Sequence, residues 1–205
     1  PSVSGWEIWK MRSGSVPRFD PFCRSSLGAP WTDLHWGFQI AAWKAWELRG
    51  AWGLVFGRVV FAIALPLVAL GKRLSWKTGA LAGIGLWISR DFLDVRPLLV
   101  TLLVLACMQR ILSSPRWWSR RGFAGALLLQ VVLVNTQGLF LLGPLLVAGL
   151  ALGRALERRR AESIRLGILC ASLVAASCAN PWGLDAFRLA DLGVVHGGLD
   201  VRVVR

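Results

Sequence analysis

The stretch that decides the fold lies between two basic segments and reads RRGFAGALLLQVVLVNTQGLFLLGPLLVAGLALGR over residues 120–154. Residues 122–153 are mostly apolar and exceed the length that crosses a membrane once. Asn135-Thr136-Gln137-Gly138 interrupts them near the middle. A single crossing would leave one of the two arginine clusters on each side of the membrane. The pattern therefore predicts a helical hairpin with residues 135–138 at its tip. One long, tilted helix with a polar notch is the alternative.

Further apolar runs of membrane length lie on both sides of this hairpin. They cover residues 51–71, about 74–89, 97–112 and 166–179, and Pro66 falls inside the first. Together with the two arms of the hairpin, they predict about six transmembrane helices or half-helices. We therefore expect an all-α membrane protein.

The distribution of charge predicts which ends of these helices share a side. The chain carries 24 Lys and Arg against 11 Asp and Glu, a net charge of +13. Half of the basic residues, with only two acids, fall in segments 72–77, 110–121 and 154–165. The positive-inside rule makes these three segments cytoplasmic. The chain then divides into an extracytoplasmic juxtamembrane loop (1–50), a transmembrane bundle (51–180) and an extracytoplasmic tail (181–205).

Composition excludes several other classes of protein. Apolar residues make up 55% of the chain, more than a disordered chain or a soluble nucleic-acid binder contains. The basic residues are split among short segments that lack a recognition helix, zinc-ligand spacing or an RNA-binding aromatic pattern. We expect membrane lipids as surroundings and no nucleic-acid partner.

The N-terminal outer loop offers the richest set of polar and aromatic residues. Proline and glycine interrupt it, which indicates short juxtamembrane helices and turns. Trp36, Ile40 and Trp43 are spaced for one face of a helix at the membrane interface. The residues that could act chemically are Glu7, Asp20, Asp33 and His35, because a carboxylate beside the membrane can serve as a general base or a metal ligand. A turn or cap role is the alternative for the aspartates, and Asp33 and His35 are too close in sequence to share a helix face.

Two further groups of polar residues fall in or between the apolar runs. Arg90 and Arg96 lie in the short outer loop 90–96, and a guanidinium matches phosphate oxygens in a two-pronged geometry. Ion pairing inside that loop, with Asp91 and Asp94, is the alternative. Asn135 and Gln137 are amides near membrane depth, where polar side chains usually serve function or pack against each other. We take all four, together with Asp33 and His35, as candidate substrate-binding residues.

Several short motifs together resemble bacterial GT-C-type membrane glycosyltransferase-like proteins. They are, in order, Trp6-Glu7, Gly14-Ser15-Val16-Pro17, Asp20-Pro21-Phe22, Pro30-Trp31-Thr32-Asp33, His35-Trp36, Val95-Arg96-Pro97, Asn135-Thr136-Gln137-Gly138-Leu139-Phe140-Leu141-Leu142-Gly143 and Asn180-Pro181-Trp182-Gly183. The resemblance covers nearly the whole chain. It departs from the family's pattern at Glu7 and Gln137, where relatives often carry histidine.

The resemblance implies an enzyme that transfers a sugar from a polyprenyl-phosphate donor to an extracytoplasmic acceptor at the bacterial inner membrane. It implies catalytic carboxylates at Asp20 and Glu7 and places Asp33 and His35 in the second part of the same outer loop. It places Arg90 and Arg96 near the donor phosphate, where such enzymes often hold a divalent metal ion. The family has a first helix and later helices that this chain lacks, so we expect a fragment of a longer protein. A non-catalytic scaffold or subunit of a cell-envelope assembly, and a transporter with its site at residues 135–138, are the alternative functions.

Overall fold

The computed structural model of the chain describes residues 32–90 and 94–187, apart from the side chain of Lys72. All regular secondary structure in these ranges is helical, which confirms the all-α prediction. The helices are α1 (Trp36–Arg49), α2 (Ala51–Leu70), a 3-10 helix (Gly71–Arg73), α3 (Trp76–Ile88), α4 (Pro97–Leu112), α5 (Arg120–Thr136), α6 (Leu142–Leu156) and α7 (Arg160–Ala176).

Successive helices from α2 to α7 run in opposite directions, so each begins at one end of the bundle and ends at the other. The three basic segments meet at one end, which we call the basic end (residues 71–77, 110–121 and 154–165). The guanidinium of Arg110 lies against Gly71, so close that a Cβ on Gly71 would be 2.1 Å from Arg110 Cζ. The guanidinium of Arg165 lies 5.9 Å from the ring centroid of Trp118. The three basic segments therefore lie at the same end of the bundle, as the sequence predicted.

The opposite end, which we call the polar end, holds residues 32–39, 94–97, 135–142 and 177–187. Asn135 at the end of α5 donates a hydrogen bond to the carbonyl of Ala179, after α7. The rings of Phe140 and Phe187 meet edge to face with centroids 5.2 Å apart. The first residues of the predicted tail are thus packed onto the bundle.

The helix breaks between α5 and α6, which excludes one continuous helix over residues 122–153. The two arms pack mainly on α4 and α7 and not on each other. Gln137 is extended (φ −154°, ψ 137°) and ends α5. Pro144 lies in the first turn of α6, where a missing N–H costs no intrahelical bond. The break lies slightly later than predicted, because Asn135 and Thr136 remain helical. The arms are also longer than the predicted half-helices, at 17 and 15 residues.

The buried core is formed mainly by α4 to α7. Its fully enclosed side chains include Met108, Leu133, Phe140, Val147 and Leu173. Helices α1, α2 and α3 contribute no buried residue of their own. The N-terminal helices therefore lie at the side of a core that residues 97–187 complete.

Helices α1 and α2 form a bent pair joined by Gly50, whose positive φ of 58° suits glycine. Small residues allow the two backbones to approach closely. A Cβ on Gly53 would lie 1.9 Å from the carbonyl oxygen of Ala45. The prediction of a helix around Trp36, Ile40 and Trp43 is confirmed, and this helix packs on α2 and α5. Residues 32–50, the described part of the predicted 1–50 loop, are therefore packed into the helical bundle.

One described helix, α2, has both the length and the apolar composition that crossing a membrane requires. This helix of 20 residues reaches a mean hydropathy of 2.3 over its apolar stretch, no part of which is buried. Helices α4 and α6 are apolar but shorter.

Candidate functional site

Asn135 is the centre of a hydrogen-bond network at the polar end. Its side-chain oxygen accepts a bond from Trp36 Nε1 at 3.2 Å, which ties α1 to α5. Its amide nitrogen donates to the carbonyls of Val131 and Ala179, both at 2.8 Å. Gly37 allows α1 to approach α5 closely, because a Cβ at this position would lie only 2.5 Å from the backbone carbonyl oxygen of Asn135. Both donors of this predicted substrate-binding amide are therefore engaged within the protein.

Asp33 is buried just before α1 and organises the turn that leads into the helix. Its Oδ1 accepts a bond from the backbone N–H of His35 at 2.9 Å. Gln39 Nε2 lies 3.5 Å from the same oxygen, and His35 Nδ1 lies 3.8 Å from it. The turn role that the sequence left open for Asp33 is present, since Asp side chains commonly bond the backbone two residues on. The same contacts bring Asp33 and His35 together.

Gly138, the residue that follows Gln137 at the break between α5 and α6, lies close to His35. Gln137 is buried, and its Oε1 accepts a bond from the backbone N–H of Gly138 at 2.9 Å. A Cβ on Gly138 would lie 3.9 Å from the imidazole of His35. The Trp36–Asn135 bond and the approach of Gly138 to His35 therefore place the segment of Asp33 and His35 beside the segment of Asn135 and Gln137.

The arginine loop lies against α2 through a residue that sequence analysis did not select. Arg58 donates to the carbonyl of Arg90 at 2.9 Å, and it pairs with Asp94 at 3.5 Å. Arg96 pairs with the same carboxylate at 3.8 Å, so part of the alternative, ion pairing inside the loop, is present. The Arg90 guanidinium also lies 5.2 Å from the ring centroid of Trp87. Arg58 was visible in the sequence as the only charged residue of the run 51–71.

An apolar cavity of about 140 Å³ joins the two groups of residues. It lies where α1 and α2 diverge, and Arg58 is its one charged lining residue among those described. Val95, next to Arg96, and Thr136, next to Gln137, both line it. The remaining walls are Phe38, Ala41, Ala42, Ala45, Gly53, Leu54, Gly57, Phe61, Leu99 and Val100. The cavity is almost entirely apolar, and the guanidinium of Arg58 beside it is engaged by Asp94 and by the carbonyl of Arg90.

A second polar contact deeper in the bundle also escaped sequence analysis. Gln130 is fully buried and donates to the carbonyl of Phe140 at 3.0 Å and to Ser177 Oγ at 2.8 Å. Its own oxygen has no hydrogen-bond partner. A Cβ on Gly143 would lie 2.1 Å from that oxygen, so the glycine makes room for it. An amide within an apolar run was the available signal for Gln130, whereas nothing singled out Ser177.

The predicted catalytic residues Asp20 and Glu7 lie outside the described residues, and so does Asp91. Within the described ranges, no three His, Cys, Asp or Glu side chains come together as a metal site. Asp33 and His35 form only a pair, and Asp33 Oδ1 already accepts the His35 N–H. The described residues therefore do not make a set of metal ligands, and the divalent metal stays a prediction of the resemblance.

Comparison with known proteins adds no relative. No protein-family model, curated protein or solved structure matches this chain.

Proposed function

We propose that this chain is part of a multi-pass membrane protein. Large apolar side chains face outward on helices throughout the bundle, as lipid contact requires and as soluble proteins avoid. Those more than half exposed include Trp52, Phe56, Leu81, Trp87, Leu128, Leu145 and Leu152. The six passages from α2 to α7 place all three basic segments at one end, as the positive-inside rule demands. In this proposal the basic end faces the cytoplasm of a bacterial cell and the polar end faces outward.

We further propose that the polar end binds a polyprenyl-phosphate-linked sugar and transfers the sugar to an extracytoplasmic acceptor. The observation that carries this proposal is the apolar cavity of about 140 Å³ with Arg58 at its edge. The cavity would take part of the isoprenoid chain. The guanidinium groups of Arg58 and Arg96, which share Asp94, would balance the phosphate charge.

The chemistry of such a transfer assigns roles to the remaining site residues. A carboxylate of Asp20 or Glu7 accepts the proton of the acceptor hydroxyl, whose oxygen attacks the anomeric carbon of the sugar. The bond from that carbon to the phosphate oxygen breaks, and the polyprenyl phosphate leaves with the electron pair, so the anomeric centre is inverted. Asp33 and Asn135 then act as positioning residues, because their polar atoms hold α1 against α5.

The decisive test uses the full-length protein in bilayers with a radiolabelled polyprenyl-phosphate sugar. We expect label to reach an acceptor, and we expect Asp20→Asn or Glu7→Gln to abolish the transfer while donor binding persists. Full activity in both variants would remove these carboxylates from the mechanism. Donor binding without any transfer by the wild type would favour the alternative of a non-catalytic scaffold.

A second test examines the cavity itself. Gly57 lines it and has no neighbour within 4 Å of a Cβ position, so Gly57→Phe should fill the space with little effect on the backbone. We expect this variant to lose photo-crosslinking to a polyprenyl phosphate that carries a photoreactive isoprenoid. Gly79→Phe on α3, another helical glycine with open surroundings, is the matched control. Equal crosslinking in Gly57→Phe and the wild type would exclude the cavity as the lipid site.

A further inference from the structure

The basic end concentrates positive charge that the acidic residues of the described ranges neutralise only in part. Glu157 and Glu162 are the acidic residues of the three basic segments. Arg154 pairs with them at 2.8 and 3.4 Å, and Arg159 also contacts both. These two acids and two arginines therefore form a closed, neutral ring.

The other arginines of this end remain uncompensated. In the described ranges no carboxylate pairs with Arg110, Arg116, Arg120, Arg121, Arg158, Arg160 or Arg165. All seven are exposed, and the contacts between Arg110 and Gly71 and between Arg165 and Trp118 bring their segments together. A partner with several negative charges would find them on one surface.

Aromatic side chains accompany these arginines. Trp117 and Trp118 meet edge to face with ring centroids 5.3 Å apart, and Phe123 packs on Trp118 at 5.5 Å. Trp76, at the start of α3, is 80% exposed. Tryptophan rings favour the headgroup level of a bilayer, with apolar helix surface on one side and charge on the other. This combination fits a charged lipid surface better than a nucleic acid, which would not cover the adjoining apolar helices.

We infer that the basic end binds the phosphate headgroups of anionic phospholipids in the leaflet it faces. The inference rests on the membrane part of the proposed function and is independent of sugar transfer. Guanidinium groups suit phosphate oxygens, and basic clusters at the end of transmembrane helices attract anionic lipids.

The test measures how much phosphatidylglycerol and phosphatidylcholine the full-length protein retains after extraction from vesicles that contain equal amounts of both. We expect the wild type to retain mainly phosphatidylglycerol. Arg116→Gln combined with Arg121→Gln should lower that preference about thirtyfold, given an attraction of about 1 kcal/mol per basic residue. Arg121 is in the first turn of α5, where a cation opposes the helix dipole, so its loss should not weaken the fold.

Lys44→Gln combined with Arg49→Gln is the matched control, because it removes two exposed charges from α1, away from the basic end. It should leave the preference for phosphatidylglycerol unchanged. Equal retention of both lipids by the wild type, or an equal loss in the control, would overturn the inference. Release of phosphatidylglycerol by an equimolar RNA oligonucleotide would assign the surface to nucleic acid instead. Failure of the protein to enter vesicles of any composition would contradict membrane residence itself.

Discussion

The two ends of the bundle are held together by different interactions. At the polar end, contacts join different helices. Uncharged groups bond Trp36 to Asn135, Asn135 to Ala179 and, nearby, Gln130 to Ser177, and an ion pair joins Arg58 of α2 to Asp94. At the basic end, exposed and half-buried arginines and glutamates pair within one short segment, between α6 and the start of α7. Breaking a buried hydrogen bond is costly because the separated donor and acceptor cannot bond to water instead. An exposed ion pair contributes little to stability. The stability of the fold and the geometry of the site should therefore depend mainly on contacts at the polar end. The basic end should mainly determine the surface charge.

Loss of the Gln130 amide should cost the most. Gln130→Leu removes a buried donor from the Phe140 carbonyl, which keeps its bond from Gly143, and from the Ser177 hydroxyl, which still donates to Leu173. We therefore expect the free energy of unfolding to fall by about 2–3 kcal/mol. Denaturation of the full-length protein in mixed micelles, followed by tryptophan fluorescence, measures it. Gln109→Leu is the same change at an exposed position of the basic end and should cost less than about 0.5 kcal/mol. Equal effects would erase the distinction between the two ends.

The close approach of α1 and α2 should come next. Gly53→Ala places a Cβ against the Ala45 carbonyl and should force the helices apart at a cost of about 1–3 kcal/mol. Gly57→Ala, one turn further along α2, meets nothing within 4 Å and should be neutral or stabilising. Comparison of the two unfolding free energies separates crowding from helix propensity. A neutral Gly53→Ala would show that the pair is looser than described.

A smaller effect is expected from the bond between α1 and α5. Trp36→Phe keeps an aromatic ring but removes the donor to Asn135, at a cost of about 1 kcal/mol. Trp76→Phe, at the exposed start of α3, should leave stability unchanged. If the proposed function is right, Trp36→Phe should also weaken donor binding, because α1 walls the cavity. Equal stability of the wild type and both variants would show that the Trp36–Asn135 bond does not hold α1 against α5.

The smallest effect should come from the ring of ion pairs. Glu157→Gln should cost less than about 0.5 kcal/mol, because its partners Arg154 and Arg159 are exposed enough for water to screen them. Raising the salt concentration to about 0.5 M should remove even this difference, since the Debye length then falls below 5 Å. Thermal unfolding at low and high salt provides the measurement. A loss as large as that of Gln130→Leu would reverse the ranking of the two ends.

Much of the helical layout was predictable because apolar length and arginine position are local properties. The runs 51–71 and 97–112 agree with α2 and α4 within a residue at each end. The last helix begins at Arg160 and not at Leu166, because its first turns carry charged residues that an apolar criterion skips. The break near Asn135 was predicted, although Asn135 itself stays helical and bonds to distant residues.

The candidate site was less predictable, since its contacts join residues far apart in sequence. Arg58 meets Asp94 only because α2 and α4 lie side by side. Asp33, His35, Asn135 and Gln137 could be selected by residue type, but the sequence did not say that the polar atoms of Asn135 would be used internally. The roles predicted for Asp20 and Glu7 concern residues outside the described ranges.

The bond between Gln130 and Ser177 spans 47 residues, and this sets an order of events during synthesis. Gln130 leaves the ribosome and enters the bundle while Ser177 has yet to be translated. Until α7 arrives, a buried amide lacks one of its partners and the core lacks Leu169 and Leu173. A nascent chain stopped before residue 177 therefore lacks both the Gln130–Ser177 hydrogen bond and the leucine side chains by which α7 completes the core.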